Sequence, residues 1–296
     1  LEVFQTLVNA ALMVRIDDLS AQYFFKFIKT LSRVNEFGFC SKGSGDLPGA
    51  LGQAVLKNGG EIWNGSDVKK ILVENNTVQG VLIQNKEREF QIDSQVVISD
   101  IGPQRTVELV GKKKFDKDYL QEMESKLRPT AVISLQFGLE KPVFKQNHLF
   151  LTGAKRVNAV YQPTVLCPEL APKGKHLLVA NAIPEQSEAL LTEKGRKQEI
   201  EFCLEDLKKT FPDFEKSSTM LLAGVNRDNW PGMHAWPGKD MPSKTPVINL
   251  YNVGDGVKQS GYSGLPAVVQ TGIKAADEIK RRTGMFKGVI DKASNL

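Results

Sequence analysis

A strand, a glycine-rich loop and a helix follow one another in "VINLYNVGDGVKQSGYSGLPAVVQTGIKAADEIKRR", from Val247 to Arg282. This succession constrains the fold more than any other stretch of the chain. The β-prone, mostly apolar run Ile248–Val253 reads as a buried strand. Gly254 and Gly256 let the backbone turn tightly and approach a ligand. Asp255 between them presents a carboxylate that accepts hydrogen bonds from hydroxyls. Pro266 suits a first helical turn. Val269, Ile273, Ala276 and Ile279 continue a buried stripe, with Gly272 and Ala275 allowing close packing. Lys280–Arg282 complement the negative helix end. The positive N-terminus, around Gly264, Leu265, Pro266 and Ala267, then faces the glycine loop, a geometry that stabilises an anion or a polarised carbonyl. A plain strand–loop–helix crossover without a ligand is the alternative reading of the same spacing.

A second glycine cluster, "GSGDLPG" at Gly43–Gly49, imitates a dinucleotide fingerprint. That fingerprint needs a strand before it and an acid about 20 residues later. Here "RVNEFGFCSK" makes a poor strand, and the next strand-like stretch, Glu61–Asn64, ends on an amide. The loop is read as a turn into a helix with Asp46 as its cap, Pro48 in its first turn and Asn58-Gly59-Gly60 at its end. "VKKILVE" and "VQGVLI", joined by Asn75-Asn76, form a hairpin signature, and Val96–Ser99 reads as a buried strand. Beyond Gly102 the pattern changes: a helix in "DKDYLQEMESKL", strands in "TAVISLQFGLE", "HLFLTG" and "HLLVANAI", an amphipathic helix over Glu193–Phe211 and a strand in "TMLLAGV". Residues 1–39 read as helical, with Tyr23, Phe24, Phe25, Phe27, Ile28 and Leu31 giving a helix-spaced apolar stripe broken by Lys26 and Lys29. The stripe faces either a core, a pocket or a lipid surface.

Composition excludes several classes. A net charge of +5 without basic residues interleaved with aromatics gives no nucleic-acid surface. Cys40, Cys167 and Cys203 are far apart, and only three histidines are present, so neither a metal site nor a disulfide framework is expected. Spaced, odd-numbered cysteines fit a reducing, cytoplasmic compartment. The longest apolar run, Thr6–Val14, stops at Arg15 and is shorter than the roughly 18 residues of a membrane span. No Ser-His-acid set or pair of carboxylates can be read, so no catalytic residue is assigned.

"VGDGVKQSGYSGLPAVVQTGIKAADEI" resembles the C-terminal flavin motif of the phytoene desaturase and amine oxidase superfamily of FAD-dependent oxidoreductases, and "GLPAVVQTG" within it is nearer the phytoene desaturase and carotenoid isomerase branch. "GSGDLPGALGQAVLKNGGEIWNGSDVKKILVENNTVQGVLI" resembles the helix, Gly-Gly and strand that this family turns toward the adenine half of FAD. "VVISDIGPQRTVELVG" resembles the strand and turn that leave its FAD domain, although Ser99-Asp100-Ile101 departs from the family's usual turn. The three stretches come in the family's order.

The resemblance implies a mixed α/β fold: an incomplete Rossmann-like FAD-binding domain at 40–105 and 245–284, a substrate domain of mixed sheet and helix at 1–39 and 106–244, and a tail at 285–296. It implies that Asp255 bonds the ribityl chain, that Gly254 and Gly264–Ala267 sit against the flavin, and that the Val68 backbone bonds adenine. Trp230, Met233, His234 and Trp236, in the loop before the flavin strand, are the candidate substrate-lining residues. The expected substrate is a long, apolar, polyene-like molecule, with peripheral membrane contact near Tyr23–Leu31. An amine oxidase or protoporphyrinogen oxidase type of activity, or a non-catalytic relative without flavin, are the alternatives. The family's opening strand, GxGxxG loop and ribose-binding acid are not among these 296 residues. A missing N-terminal segment, or a partner chain supplying it, is therefore expected, with weak or no FAD binding by residues 1–296 alone.

Overall fold

In the computed structural model, which describes residues 2–33, 38–227 and 232–283, helices and strands mix in an α/β architecture. The elements run α1 (Glu2–Leu12), α2 (Ala21–Leu31), α3 (Asp46–Lys57), β1 (Ser66–Glu74), β2 (Thr77–Asn85), β3 (Arg88–Asp93), β4 (Val97–Ser99), α4 (Pro103–Val110) and α5 (Lys117–Lys126). They continue with β5 (Ala131–Leu139), β6 (His148–Phe150), β7 (Val157–Tyr161), β8 (His176–Ala182), α6 (Glu193–Thr210), α7 (Phe214–Ser217), β9 (Ser218–Arg227), β10 (Leu250–Asn252) and α8 (Gly264–Thr283). The chain divides into two compact units, one of 1–64 and 129–236, the other of 65–128 and 237–296. The sequence divisions at 39/40, 105/106 and 244/245 rest instead on the change of pattern at Gly102 and the return of a strand at Val247. The 285–296 tail lies outside the described residues.

The first unit is centred on an antiparallel sheet of order β6-β7-β8-β5-β9. Alternation along β5 explains it: Ile133, Leu135, Phe137 and Leu139 point to one side and are buried with Val160, Leu178, Ala180 and the α6 residues Cys203 and Leu207. Each such aliphatic or aromatic side chain contributes about 1.5–3 kcal/mol on burial. Phe137 meets Phe214 of α7 edge-on, with ring centroids 4.9 Å apart. α6 starts on Thr192, whose hydroxyl accepts from the Gly195 amide at 3.1 Å. Its buried Asp206 holds the chain before β7, accepting from the amides of Lys155, Arg156 and Val157 at 2.8, 2.6 and 3.0 Å. A separate cluster joins α1 and α2 through Val8, Leu12, Val14, Tyr23 and Phe27. The α2 stripe is thus consumed by a core for Tyr23 and Phe27, while Phe25 stays exposed.

The second unit holds a meander, β1-β2-β3, and a parallel pair, β4 with β10. The β1–β2 turn places Asn75 and Asn76 at φ 46° and 59°, the left-handed region that asparagine tolerates in tight hairpins. That turn is tied to the approach to β10: the Ile248 amide donates to Asn76 O at 2.9 Å, and the Val78 amide to Ile248 O at 3.1 Å. The buried strand expected over Ile248–Val253 is shorter. Asn249 takes φ 64°, Ile248 makes only an isolated bridge and is exposed, and pairing with β4 covers Leu250–Asn252. The strand expected over Glu61–Asn64 does not form. β7, "VNAVY", has no counterpart among the strands read from sequence; it is only five residues long and buried at four of them, so it shows no period-2 alternation. α3 has Asp46 inside its first turn rather than capping it by side chain, with Gly45 at the N-cap.

Candidate functional site

β4 and β10 run parallel, pairing Val97 with Leu250, Ile98 with Tyr251 and Ser99 with Asn252. Parallel pairing brings both C-terminal strand ends to the same edge, where loops are free to meet a ligand. The Val253 amide closes the ladder on Ser99 O at 2.9 Å. Immediately beyond, Gly254 turns at φ 80° and its amide donates to the buried Thr271 hydroxyl of α8 at 2.7 Å. A Cβ on Gly254 would fall on Asp100 Oδ1, so any larger residue here needs the Asp100 side chain to move as well as accepting the positive φ. Gly256, Gly261 and Gly264 also hold positive φ, at 91°, 90° and 67°. Four left-handed glycines without side chains leave the backbone of the loop open to close approach.

Asp255 forms an ion pair with Lys258, whose ammonium also meets Asp240 Oδ1 at 3.0 Å. The Lys258 side chain is 2 % exposed and that of Asp240 6 %. Asp240 further accepts from the Lys258 amide at 2.8 Å. Burial pushes the Asp240 carboxyl above its ordinary range, against the pull of Lys258. An ionised carboxylate is an acceptor only, with about four lone-pair positions, so Asp255 is a group of the kind that receives hydrogen bonds from hydroxyls. α8 opens with Gly264, exposed Leu265, Pro266 and buried Ala267, and the first amides of a helix have no intrahelical acceptor. Acceptor carboxylate, side-chain-free turns and helix N-terminus together suit a polyhydroxyl chain attached to a polarised ring.

Of the residues singled out in the sequence, Gly254, Asp255, Gly264, Leu265, Pro266 and Ala267 come together at this loop. Val68 lies in the same unit, on β1, an edge strand of its sheet, with a register irregularity between Val68 and Lys70. An edge strand turns half of its backbone groups away from the ladder. In the other unit, Met233 is 5 % exposed, and its backbone exchanges two 2.8 Å hydrogen bonds with Thr130. Trp236 packs on the α1–α2 cluster. His234 is half-buried, and Trp230 lies outside the described residues.

Sequence reasoning passed over the outer face of the five-stranded sheet. Directly opposed residues form one row across it: His148 opposite Tyr161, Tyr161 opposite Val179, Val179 opposite Gln136 and Gln136 opposite Leu222. His148 stacks on Tyr161 with centroids 4.6 Å apart and planes 8° from parallel. Burial lowers the His148 pKa and raises that of the Tyr161 phenol, which Asn181 partly offsets. Polar Gln136 and Asn181 within apolar strands were the available signal. Lys258, Asp240, Asp100 and Thr271 around the loop were missed for a different reason: nothing local links them, except that Thr271 interrupts an apolar helix stripe. Among the described residues no group of three or more His, Cys, Asp or Glu side chains could hold a metal, and no helix is long and apolar enough to cross a membrane.

These features define a two-unit α/β protein whose second unit presents a cofactor-type strand, glycine turn and helix start. Residues 2–280 match the family of flavin containing amine oxidoreductases, and the chain belongs to that family. A solved oxidoreductase from Methanosarcina mazei is similar, with 29 % identity and a TM-score of 0.84 over 93 % of this chain and 64 % of its own. A Pyrococcus furiosus protein shares the fold at 24 % identity and a TM-score of 0.75, over 94 % of this chain and 63 % of its own. An uncharacterized protein of Methanocaldococcus jannaschii is 28 % identical over 71 % of this chain and 47 % of its length. The chain therefore spans about half to two thirds of these relatives.

Proposed function

We propose that this chain forms part of an FAD-dependent oxidoreductase acting on a long, apolar substrate, of the desaturase or isomerase type. The observation that carries the flavin reading is the Gly254–Ala267 loop, with Asp255 held by Lys258 and the α8 N-terminus opening onto it. Family membership supports a flavin. Bound there, a flavin would supply two-electron oxidation or reduction of carbon. Asp255 would accept hydrogen bonds from its ribityl hydroxyls. Gly254 and Gly264 would let the backbone reach it, and Leu265, Pro266 and Ala267 would set the helix end against its ring. Electrostatically, that end favours negative charge at the ring. The Val68 backbone on the β1 edge would take the adenine.

Dinucleotide affinity owes much to a pyrophosphate held at a βα turn, with hydrogen bonds to charged groups contributing about 1.5–3 kcal/mol each. The described residues contain no such opening turn, so we place it in a further N-terminal segment or a partner chain. The apolar α3 face supports a missing neighbour: Leu51, Val55 and Leu56 are each about half exposed. Phe4 and Phe25, both exposed and linked edge-on through Phe24, are where we place contact with a membrane surface. Neither nucleic acid nor metal has a part in this reading.

Titration of the purified chain with FAD tests the reading. Weak binding that Asp255→Ala abolishes supports it; tight, stoichiometric binding indifferent to Asp255→Ala rejects it.

A further inference from the structure

The outer face of the five-stranded sheet is not bare. The 39–44 loop and Leu170 border a half-open cavity of about 410 Å³ on it, within the range of about 300–1,000 Å³ typical of small-molecule sites. Its floor is part of the row described above, Tyr161, Val179 and Gln136, with Leu177 two residues along β8 on the same face. Among the described residues ten line it, and none of those ten carries a charge. By contrast, the cavity beside α1 is lined by Glu2, Arg15, Asp17, Lys155, Arg156 and Glu185 among others. Half-buried Gln136 in the floor and exposed Ser44 at the rim bring an amide and a hydroxyl to it, each able to donate and accept. The sheet's other side is filled by the α6 core, which fixes the floor in place.

We propose that this cavity binds an uncharged, largely apolar small molecule, oriented by one hydrogen-bonding group at Gln136 or Ser44. The charge argument decides the class. An ammonium or carboxylate entering would shed water without meeting an opposite charge, which costs several kcal/mol by transfer scales. An apolar body gains burial against Val179, Leu177, Leu170 and the Tyr161 ring, and a hydroxyl or carbonyl meets the Gln136 amide. Taking this ligand to be the enzyme's substrate, or one end of a longer substrate, rests on the flavin reading above. The binding itself does not, since every wall belongs to the first unit.

Cys40 supplies the reporter. It lines the cavity and is exposed, whereas Cys167 and Cys203 are buried. N-ethylmaleimide alkylation of Cys40 in the intact chain, followed by peptide mass spectrometry, reads occupancy without flavin. N-phenyl-1-naphthylamine, a neutral aromatic probe, should slow Cys40 alkylation several-fold. Octan-1-ol should do the same, and octylammonium of equal chain length should not. Val179→Lys and Leu177→Lys, each verified as folded by circular dichroism, should remove the protection. Leu51→Lys, on the exposed α3 face, should leave it intact and so rule out probe adhering there. No protection in the wild-type chain, equal protection by octylammonium, or protection surviving both folded lysine variants would overturn the proposal. Failure of FAD to bind would leave it standing, and its own failure would leave the Asp255 loop untouched.

Discussion

Lys258 Nζ lies 3.0 Å from Asp240 Oδ1, and both side chains are almost completely buried, at 2 % and 6 % exposure. The same ammonium pairs with Asp255 at the tip of the glycine turn. One cation thus neutralises one carboxylate and orients another. Removing one member of a buried pair leaves an uncompensated charge and costs about 3–5 kcal/mol. Lys258→Met should therefore lower thermal stability strongly, and pairing it with Asp240→Leu should restore part of the loss. Differential scanning calorimetry of both variants checks this; additive losses would show that the pair is not coupled.

Asp240 also sets a pH dependence. Its folded pKa is raised above 3.8, chiefly by burial. A raised carboxyl binds more protons folded than unfolded. Its contribution to stability is full below 3.8 and is lost as pH rises through the folded value. His148 has the opposite sign: burial lowers it from 6.5, so its contribution is full above 6.5 and is lost as pH falls through the lower folded value. Urea midpoints followed from neutral to acid pH should fall less in His148→Phe than in the wild type. An unchanged pH profile would place the charge-sensitive group elsewhere.

Replacement of Gly254 carries two costs. At φ 80° a side chain is strained, and its Cβ would collide with Asp100. Gly254→Ala should cost about 3 kcal/mol from backbone strain and overpacking together. Gly111, at φ 96° with open space around it, is the control: its alanine variant meets the strain without the collision and should lose less. Chemical denaturation of the two separates the terms, and equal losses would show that Asp100 moves aside.

Much of this arrangement was readable beforehand, and the reasons differ by element. The hairpin around Asn75-Asn76, the helix 193–210 and the β5 strand all announced themselves by local periodicity or turn chemistry. The glycine loop did so because positive φ restricts residue choice at Gly254, Gly256 and Gly264. The length of β10 was not legible, since Asn249 enters the left-handed region only through its link to the β1–β2 turn. Lys258 with Asp240, and the row from His148 to Leu222, were hidden because each joins residues far apart in the chain. Their partners are set by packing and register, which no local pattern encodes.

On α3, Leu51 is 56 % and Val55 45 % exposed. Exposed apolar faces of this kind drive association rather than stability. Leu51→Lys with Val55→Lys should change the unfolding free energy by no more than about 0.5 kcal/mol per site and should reduce self-association. Light scattering at increasing protein concentration measures it. A large loss of stability would mean that this face is already packed in solution.

The central claim is that the loop from Gly254 to Ala267, anchored on Asp255, holds the flavin. Hydrogen–deuterium exchange of the chain with millimolar FAD, against chain alone and against the Asp255→Ala variant, tests it most directly. The account predicts slowed exchange at 255–267, with a weaker effect on the β1 edge at Val68, and loss of both in Asp255→Ala. Protection confined to other segments, or protection of the loop that persists without the Asp255 carboxylate, would contradict it.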